Sequence, residues 1–184
     1  ITWGLTNLMN DDNDFVILRK DSVNSNKYIY NNRSYELDSI KEKIYVKDSL
    51  ESEFVIKTTA IGPVISELKI KGFADYLPSE NNNNPYKDKI MTFKWTGFEI
   101  SDDVFSFYRI NTAKNWEDFN SALKDFCVPA QNCTYADIYG NIGYHAAGRI
   151  PIRKTNNNNN YLFPAEDELE WTGFIDFEKM PNLY

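Results

Sequence analysis

Histidine is nearly absent from this chain, one in 184 residues, and cysteine is scarce at two. A lone His145 leaves no pair at zinc-ligand spacing and no partner imidazole, so a zinc centre or a histidine-based triad within these residues has little to work with. Cys127 and Cys133 are too few for a disulfide framework; a bridge between residues six apart is open in an oxidising compartment, and two buried thiols is the favoured reading. Basic charge is short too. Lys and Arg number 20 against 27 Asp and Glu, a formal net charge of -7, and the cations are scattered, which argues against a phosphate-tracking surface and a nucleic-acid partner. No apolar run approaches the roughly 20 residues that span a bilayer. The opening ITWGLTNLMN has neither a charged n-region nor an h-region, so no membrane partner is expected.

What remains is a chain 42% apolar and 15% aromatic, enough for one domain with a real core. Alternating or β-rich runs between turn signals predict strands at DFVILRK (14–20), KYIY (27–30), KIYVK (43–47), EFVIKTT (53–59), MTFKW (91–95), TYADI (134–138) and IGYHA (142–146). One helix is predicted in NWEDFNSALKDF. There Trp116, Phe119, Leu123 and Phe126 fall at helical spacing, Asn115 caps with Asp118 three residues on, and Pro129 stops it. Its apolar stripe needs a sheet to cover. The asparagine runs at 81–84 and 156–160 bury nothing and read as loops that divide the chain without defining domains. The expectation is a strand-dominated α+β fold in one piece, 1–184.

One stretch is chemically odd. QNCTYADIYGNIGYHAAGRIPIR, from Gln131 to Arg153, carries only Asp137, Arg149 and Arg153 as charges in an otherwise charge-rich chain. Two β runs joined through Gly140 predict a hairpin, with Gly148 and Pro151 fixing its exit. The hairpin does not explain why Asn132 and Arg153 bracket it. On spacing alone they read as a turn residue and a surface charge, and NDDND at 10–14 as a solvated turn.

The segments WGLTNLMNDDNDF (3–15), TTAIGPVIS (58–66), FKWTGFE (93–99), NTAKNWEDFNSAL (111–123), PAQNCTYADIYGNIGYHAAGRIPIR (129–153) and WTGFIDFEKMPNLY (171–184) resemble successive blocks of the penicillin acylase (penicillin amidase) family, in order. The resemblance implies an N-terminal nucleophile hydrolase that cleaves amide bonds after autocatalytic processing into two chains. It implies that these residues form part of an αββα sandwich, with β-rich excursions from about Asp14 to Lys94. In that family a serine at the start of the larger chain attacks the amide carbon with its own α-amino group as base. That serine is expected upstream of Ile1, which makes this chain a fragment of the larger subunit, inactive alone.

The same resemblance assigns roles here. The backbone N–H of Asn7 and the side-chain amide of Asn132 would form the oxyanion hole, where losing one donor typically costs about 2.7 to 4 kcal/mol of barrier. Arg153 matches an arginine that orients the asparagine and the terminal amine, through a planar fork that lysine lacks. Asp11, the carbonyl of Asn13, and Asp14 match ligands of one structural calcium and supply at most half a shell. Ile61 stands where many members have histidine, which weakens any role there. Partners would be the smaller chain, the rest of the larger chain and a small-molecule amide, in the periplasm or outside the cell. The competing readings are a secreted β-rich binding module, using Tyr28, Tyr30, Trp95 and Tyr161 on one face, and a calcium-stabilised structural module.

Overall fold

The computed structural model describes residues 1–68, 89–154, 162–164 and 171–184. Both asparagine runs lie outside these residues. The elements are β1 (Thr2–Asn7), β2 (Asn13–Lys20), β3 (Lys27–Tyr30), β4 (Arg33–Glu36), β5 (Asp38–Ile44), β6 (Ser52–Thr58), β7 (Lys89–Trp95), α1 (Asp103–Thr112), α2 (Trp116–Leu123), β8 (Gln131–Ala136), β9 (Ile142–Ala147), β10 (Pro151–Arg153), β11 (Leu162–Pro164), β12 (Trp171–Phe174) and β13 (Asn182–Leu183). Among the described residues strands dominate, with two α-helices, as the α+β expectation requires. They form two compact units: unit 1 is Ile1–Asp12, Thr96–Lys154 and Glu170–Tyr184, and unit 2 is Asn13–Trp95 with Thr155–Leu169. The first segment of unit 2 coincides with the expected β-rich excursion.

Unit 1 is built on the hairpin seen in the sequence. Asp137 accepts from the amides of Tyr139 (2.9 Å) and Asn141 (3.0 Å), and its other oxygen accepts from the Asn141 side chain (2.8 Å) and the Tyr135 hydroxyl (3.1 Å). Gly140 takes φ +88, so the chain turns in a short loop and returns as β9. These bonds, the Asn141 side chain first, hold the Asp137 carboxyl below its ordinary pKa. Adding β1 and β13 gives a four-stranded antiparallel sheet in the order β1-β8-β9-β13.

One face of this sheet is covered by helix α2. Asn115 accepts from the Asp118 amide at 2.8 Å, the cap expected from the sequence. The helix ends at Leu123, well before Pro129. Phe119 and Leu123 are buried with Cys133, Tyr135 and Ala147 of the sheet, each large side chain contributing roughly 1.5 to 3 kcal/mol. Trp116 lies so close over β9 that a Cβ on Gly143 would come within 2.4 Å of its ring. Helix α1 was not foreseen, because its inward stripe is interrupted: Ser106 and Ile110 are buried while Val104, Phe105 and Tyr108 are exposed. Buried Ser106 donates to the Ala122 carbonyl at 2.8 Å, which a larger residue there would not allow. Both cysteines are free thiols; Cys127 is half-buried, and burial pushes Cys133 up to about 12.

In unit 2, β2 and β7 pair along their whole lengths, from Asn13↔Trp95 to Arg19↔Lys89. β3 joins β2 antiparallel and β11 joins it parallel. Asn31 and Asn32, both at positive φ, make the two-residue turn into β4. Leu18, Tyr28, Leu37, Val64 and Ile90 are buried together, and half-buried Ile61 packs against them. The strand predicted at 43–47 is misplaced. β5 starts at Asp38 and stops at Ile44, where the chain turns through Asp48 at φ +59, and its alternating charges masked the period. The aromatic face of the binding-module reading does not form as expected: Tyr28 is buried and accepts from the Ala60 amide at 2.9 Å, and Tyr161 lies outside the described residues.

Candidate active site

The sequence-predicted donors meet at the β1 end of the unit 1 sheet. Asn132 on β8 stands opposite Thr6 on β1, and Gln131 stands opposite Asn7. Leu8 donates to the Ala130 carbonyl at 3.1 Å, which makes Asn7 and Gln131 a pair that exchanges no ladder bonds. The N–H and C=O of Asn7 therefore leave β1 on its outer side, where no described strand pairs. Its side chain is tied on the opposite side, accepting from the Gln131 amide at 3.1 Å.

The Asn132 carboxamide reaches to that same outer side. Its Nδ2 donates to the Asn7 carbonyl at 3.1 Å and to the Thr6 hydroxyl at 3.2 Å, while its Oδ1 accepts from the Tyr144 hydroxyl at 2.7 Å. Residues of one strand alternate between faces, so Thr6, Asn132 and Tyr144 share the face turned away from the helices. The half-buried Asn132 amide thus meets the Asn7 main chain at its carbonyl. In general, an uncharged amide donor can meet a developing oxyanion without holding a fixed charge in the ground state. Sequence reading missed Thr6 and Tyr144; the only signal is register, because Tyr144 lies diagonally across the hairpin from Asn132.

Arg153 ends β10, which pairs with β12 as a separate two-stranded sheet of unit 1. Its two terminal nitrogens both donate to the Asp11 carbonyl at 3.2 Å, and its guanidinium is 3.4 Å from the Asp11 carboxylate. The fork clasps the main chain four residues past Asn7. The Arg153 side chain is 17% exposed and that of Asp11 78%. Asp11 belongs to unit 1, whose first segment ends at Asp12, whereas Asn13 and Asp14 open β2 in unit 2, opposite Trp95 and Lys94, and Asp14 is buried. Among the described residues no group of three His, Cys, Asp or Glu side chains is poised around one point. No helix among them is long and apolar enough to cross a membrane.

Comparison with known proteins gives one consistent result. The penicillin amidase family model matches residues 1–184. A curated relative, the penicillin G acylase of Escherichia coli, is 26% identical over 184 residues, which is all of this chain and 20% of that protein. Among solved structures, a thermostable penicillin G acylase from Alcaligenes faecalis superposes with a TM-score of 0.79 at 23% identity, covering 99% of this chain and 30% of the other. The chain spans about a fifth of the curated relative's length.

Proposed function

Because the chain belongs to the penicillin amidase family, we propose that it supplies the oxyanion-binding part of a longer amide hydrolase. The nucleophilic serine and its α-amino base come, in this reading, from outside these 184 residues, and the chain alone is inactive. Attack on the amide carbon turns the carbonyl oxygen into an oxyanion. The Asn7 N–H meets it directly. The Asn132 Nδ2–H turns from the Asn7 carbonyl to the same oxygen, exchanging a neutral acceptor for a charged one, and charge-assisted bonds are roughly twice as strong. Collapse of the intermediate expels the amine, and a second oxyanion forms when water cleaves the acyl-serine. The observation that carries this reading is the bond from Asn132 Nδ2 to the Asn7 carbonyl, which brings that amide to the Asn7 main chain.

Arg153 acts here on the main chain: by clasping the Asp11 carbonyl it fixes the segment that continues from Asn7. Its contact with the asparagine and the terminal amine is part of the same proposal. One structural calcium would take Asp11, the carbonyl of Asn13, and Asp14. These are hard oxygen donors suited to the ion, and the remaining ligands of its six to eight come from elsewhere in the parent, including the smaller chain. The substrate is a small linear amide, and the site of action is periplasmic or extracellular.

The test is Asn132→Ala in the assembled parent enzyme, already processed so that maturation does not intervene. Acylation of a chromogenic amide, followed by stopped flow, should slow by about a hundredfold or more with KM changed far less. Thermal melting should hardly move, since the amide contributes about 1 kcal/mol of hydrogen bonding. A variant that melts as wild type does and acylates within about threefold of it leaves Asn132 a strand residue and ends the reading. For calcium, adding the ion to stripped parent enzyme should raise the melting temperature, and Asp14→Ala should abolish the rise.

A further inference from the structure

We infer that Tyr144 is a positioning residue, whose hydroxyl sets the orientation of the Asn132 amide and holds it during the reaction. The inference rests on the oxyanion reading of Asn132. A carboxamide is nearly symmetric in shape, and only its hydrogen-bond partners decide which end is NH2. Here the Asn7 carbonyl, which can only accept, faces Nδ2 at 3.1 Å, and the Tyr144 hydroxyl donates to Oδ1 at 2.7 Å. Turning the amide over would set its oxygen against the Asn7 carbonyl and offer the reacting oxygen a repulsive lone pair.

These two restraints differ in what happens to them during turnover. The bond to the Asn7 carbonyl is given up when Nδ2 turns to the oxyanion. The bond from Tyr144 approaches the far end of the amide and survives, so the carboxamide pivots about it. A donor on Oδ1 also draws electron density from the amide and makes Nδ2–H a stronger donor to a charged acceptor. The fold arranges this geometry through register. On β9 Tyr144 stands opposite Thr134 of β8 and Leu183 of β13, and Asn132 stands opposite Ala146, so the ring and the amide are diagonal neighbours on one face.

Tyr144→Phe removes the hydroxyl and keeps the ring. In the assembled, processed parent enzyme it should lower kcat roughly tenfold, the loss of one positioned hydrogen bond, with KM within about twofold and unchanged melting. The double variant Asn132→Ala/Tyr144→Phe should be no slower than Asn132→Ala alone, because without the amide the hydroxyl has nothing to orient. A Tyr144→Phe enzyme with wild-type kcat, beside an Asn132→Ala enzyme slowed a hundredfold, overturns the role of Tyr144 and leaves the oxyanion reading standing. Losses that multiply in the double variant also overturn it, since Tyr144 then acts apart from Asn132. Two single variants that both match wild type remove the oxyanion reading and this inference with it. A Tyr144→Phe protein with lowered melting and a fall in kcat that follows its folded fraction assigns Tyr144 to packing alone.

Discussion

Two clusters of polar side chains, one in each unit, make a similar number of hydrogen bonds and use them differently. In unit 2 the Thr92 hydroxyl, fully buried, lies 2.8 Å from the Gly62 carbonyl, 3.0 Å from the Pro63 carbonyl and 3.2 Å from the Thr59 hydroxyl. Thr59 in turn accepts from the amides of Ile61 (3.1 Å) and Gly62 (3.3 Å). Every partner there is protein, and Thr59 and Thr92 are themselves buried, so removing one would strand a buried polar atom. The cluster fastens the 59–63 loop onto β7. In unit 1 Asn132 is equally well satisfied, yet it is half-buried, and its Nδ2 rests on the Thr6 hydroxyl and the Asn7 carbonyl, the acceptors that the proposed oxyanion would replace. Saturation inside a core holds a loop; in the proposed reading, saturation at a half-buried amide on β8 keeps donors ready for an oxyanion.

The harshest way to break this contrast is to disturb the frame around Asn132. Gly148 takes φ +140 where the chain leaves β9, and a Cβ there would fall 2.3 Å from the Ala130 Cβ and 2.6 Å from its Cα, two residues before Asn132. Gly148→Ala combines left-handed strain with a clash against backbone and should cost about 3 kcal/mol. Hydrogen exchange should quicken in β8 and β9 and stay unchanged in β2 and β7. Equal quickening in both would show that the two clusters do not sit in separately stabilised units.

A smaller effect sharpens the other half. Thr92→Val keeps shape and removes the hydroxyl, leaving carbonyls of the 59–63 loop short of a donor inside unit 2, at a cost of about 1 to 3 kcal/mol. Its β7 amides should exchange faster, while acylation by the assembled parent keeps its wild-type rate. A rate that falls with the loss of stability would mean that this cluster, too, serves the chemistry.

How far sequence carried these clusters follows from the range of the signals. The β8–β9 hairpin and the α2 cap were legible because Gly140 and the pair Asn115 and Asp118 act within a few residues of one another. Asn132 and Asn7 were singled out by resemblance, and their meeting across 125 residues became visible only in the strand register. Tyr144 had no local signal at all, since a tyrosine in a strand reads as packing until its diagonal neighbour is known. Helix α1 was missed because its core-facing stripe includes Ser106, chosen for close approach to α2 rather than for apolar area. The start of β5 was missed because a strand exposed along its length has no buried face to impose a hydrophobic period.

The smallest expected effect concerns the one histidine, and it tests whether unit 1 contains a buried group that is held rather than held ready. His145 lies on β9 opposite Cys133, 2% exposed, stacked on Phe177 with ring centroids 3.9 Å apart. Its Nε2 pairs with the Phe177 carbonyl at 3.2 Å, so the neutral ring carries its proton there, and its buried Nδ1 has no partner among the described residues. Burial lowers the His145 pKa; the Phe177 carbonyl and Glu178 oppose the shift, and Lys124 adds to it. Protonation therefore favours the unfolded chain, where an imidazole titrates near 6.5. The neutral ring's stability is fully present above that value and is lost as pH falls from it towards the lower folded pKa, by at most about 1.4 kcal/mol per pH unit for one proton. Between pH 7 and pH 5 the wild-type chain should lose more stability than His145→Gln, measured by urea unfolding at each pH. Carboxylates common to both proteins cancel in that difference. If the two proteins lose stability in parallel, His145 changes its protonation equally in folded and unfolded chains, and its buried Nδ1 is reached by water.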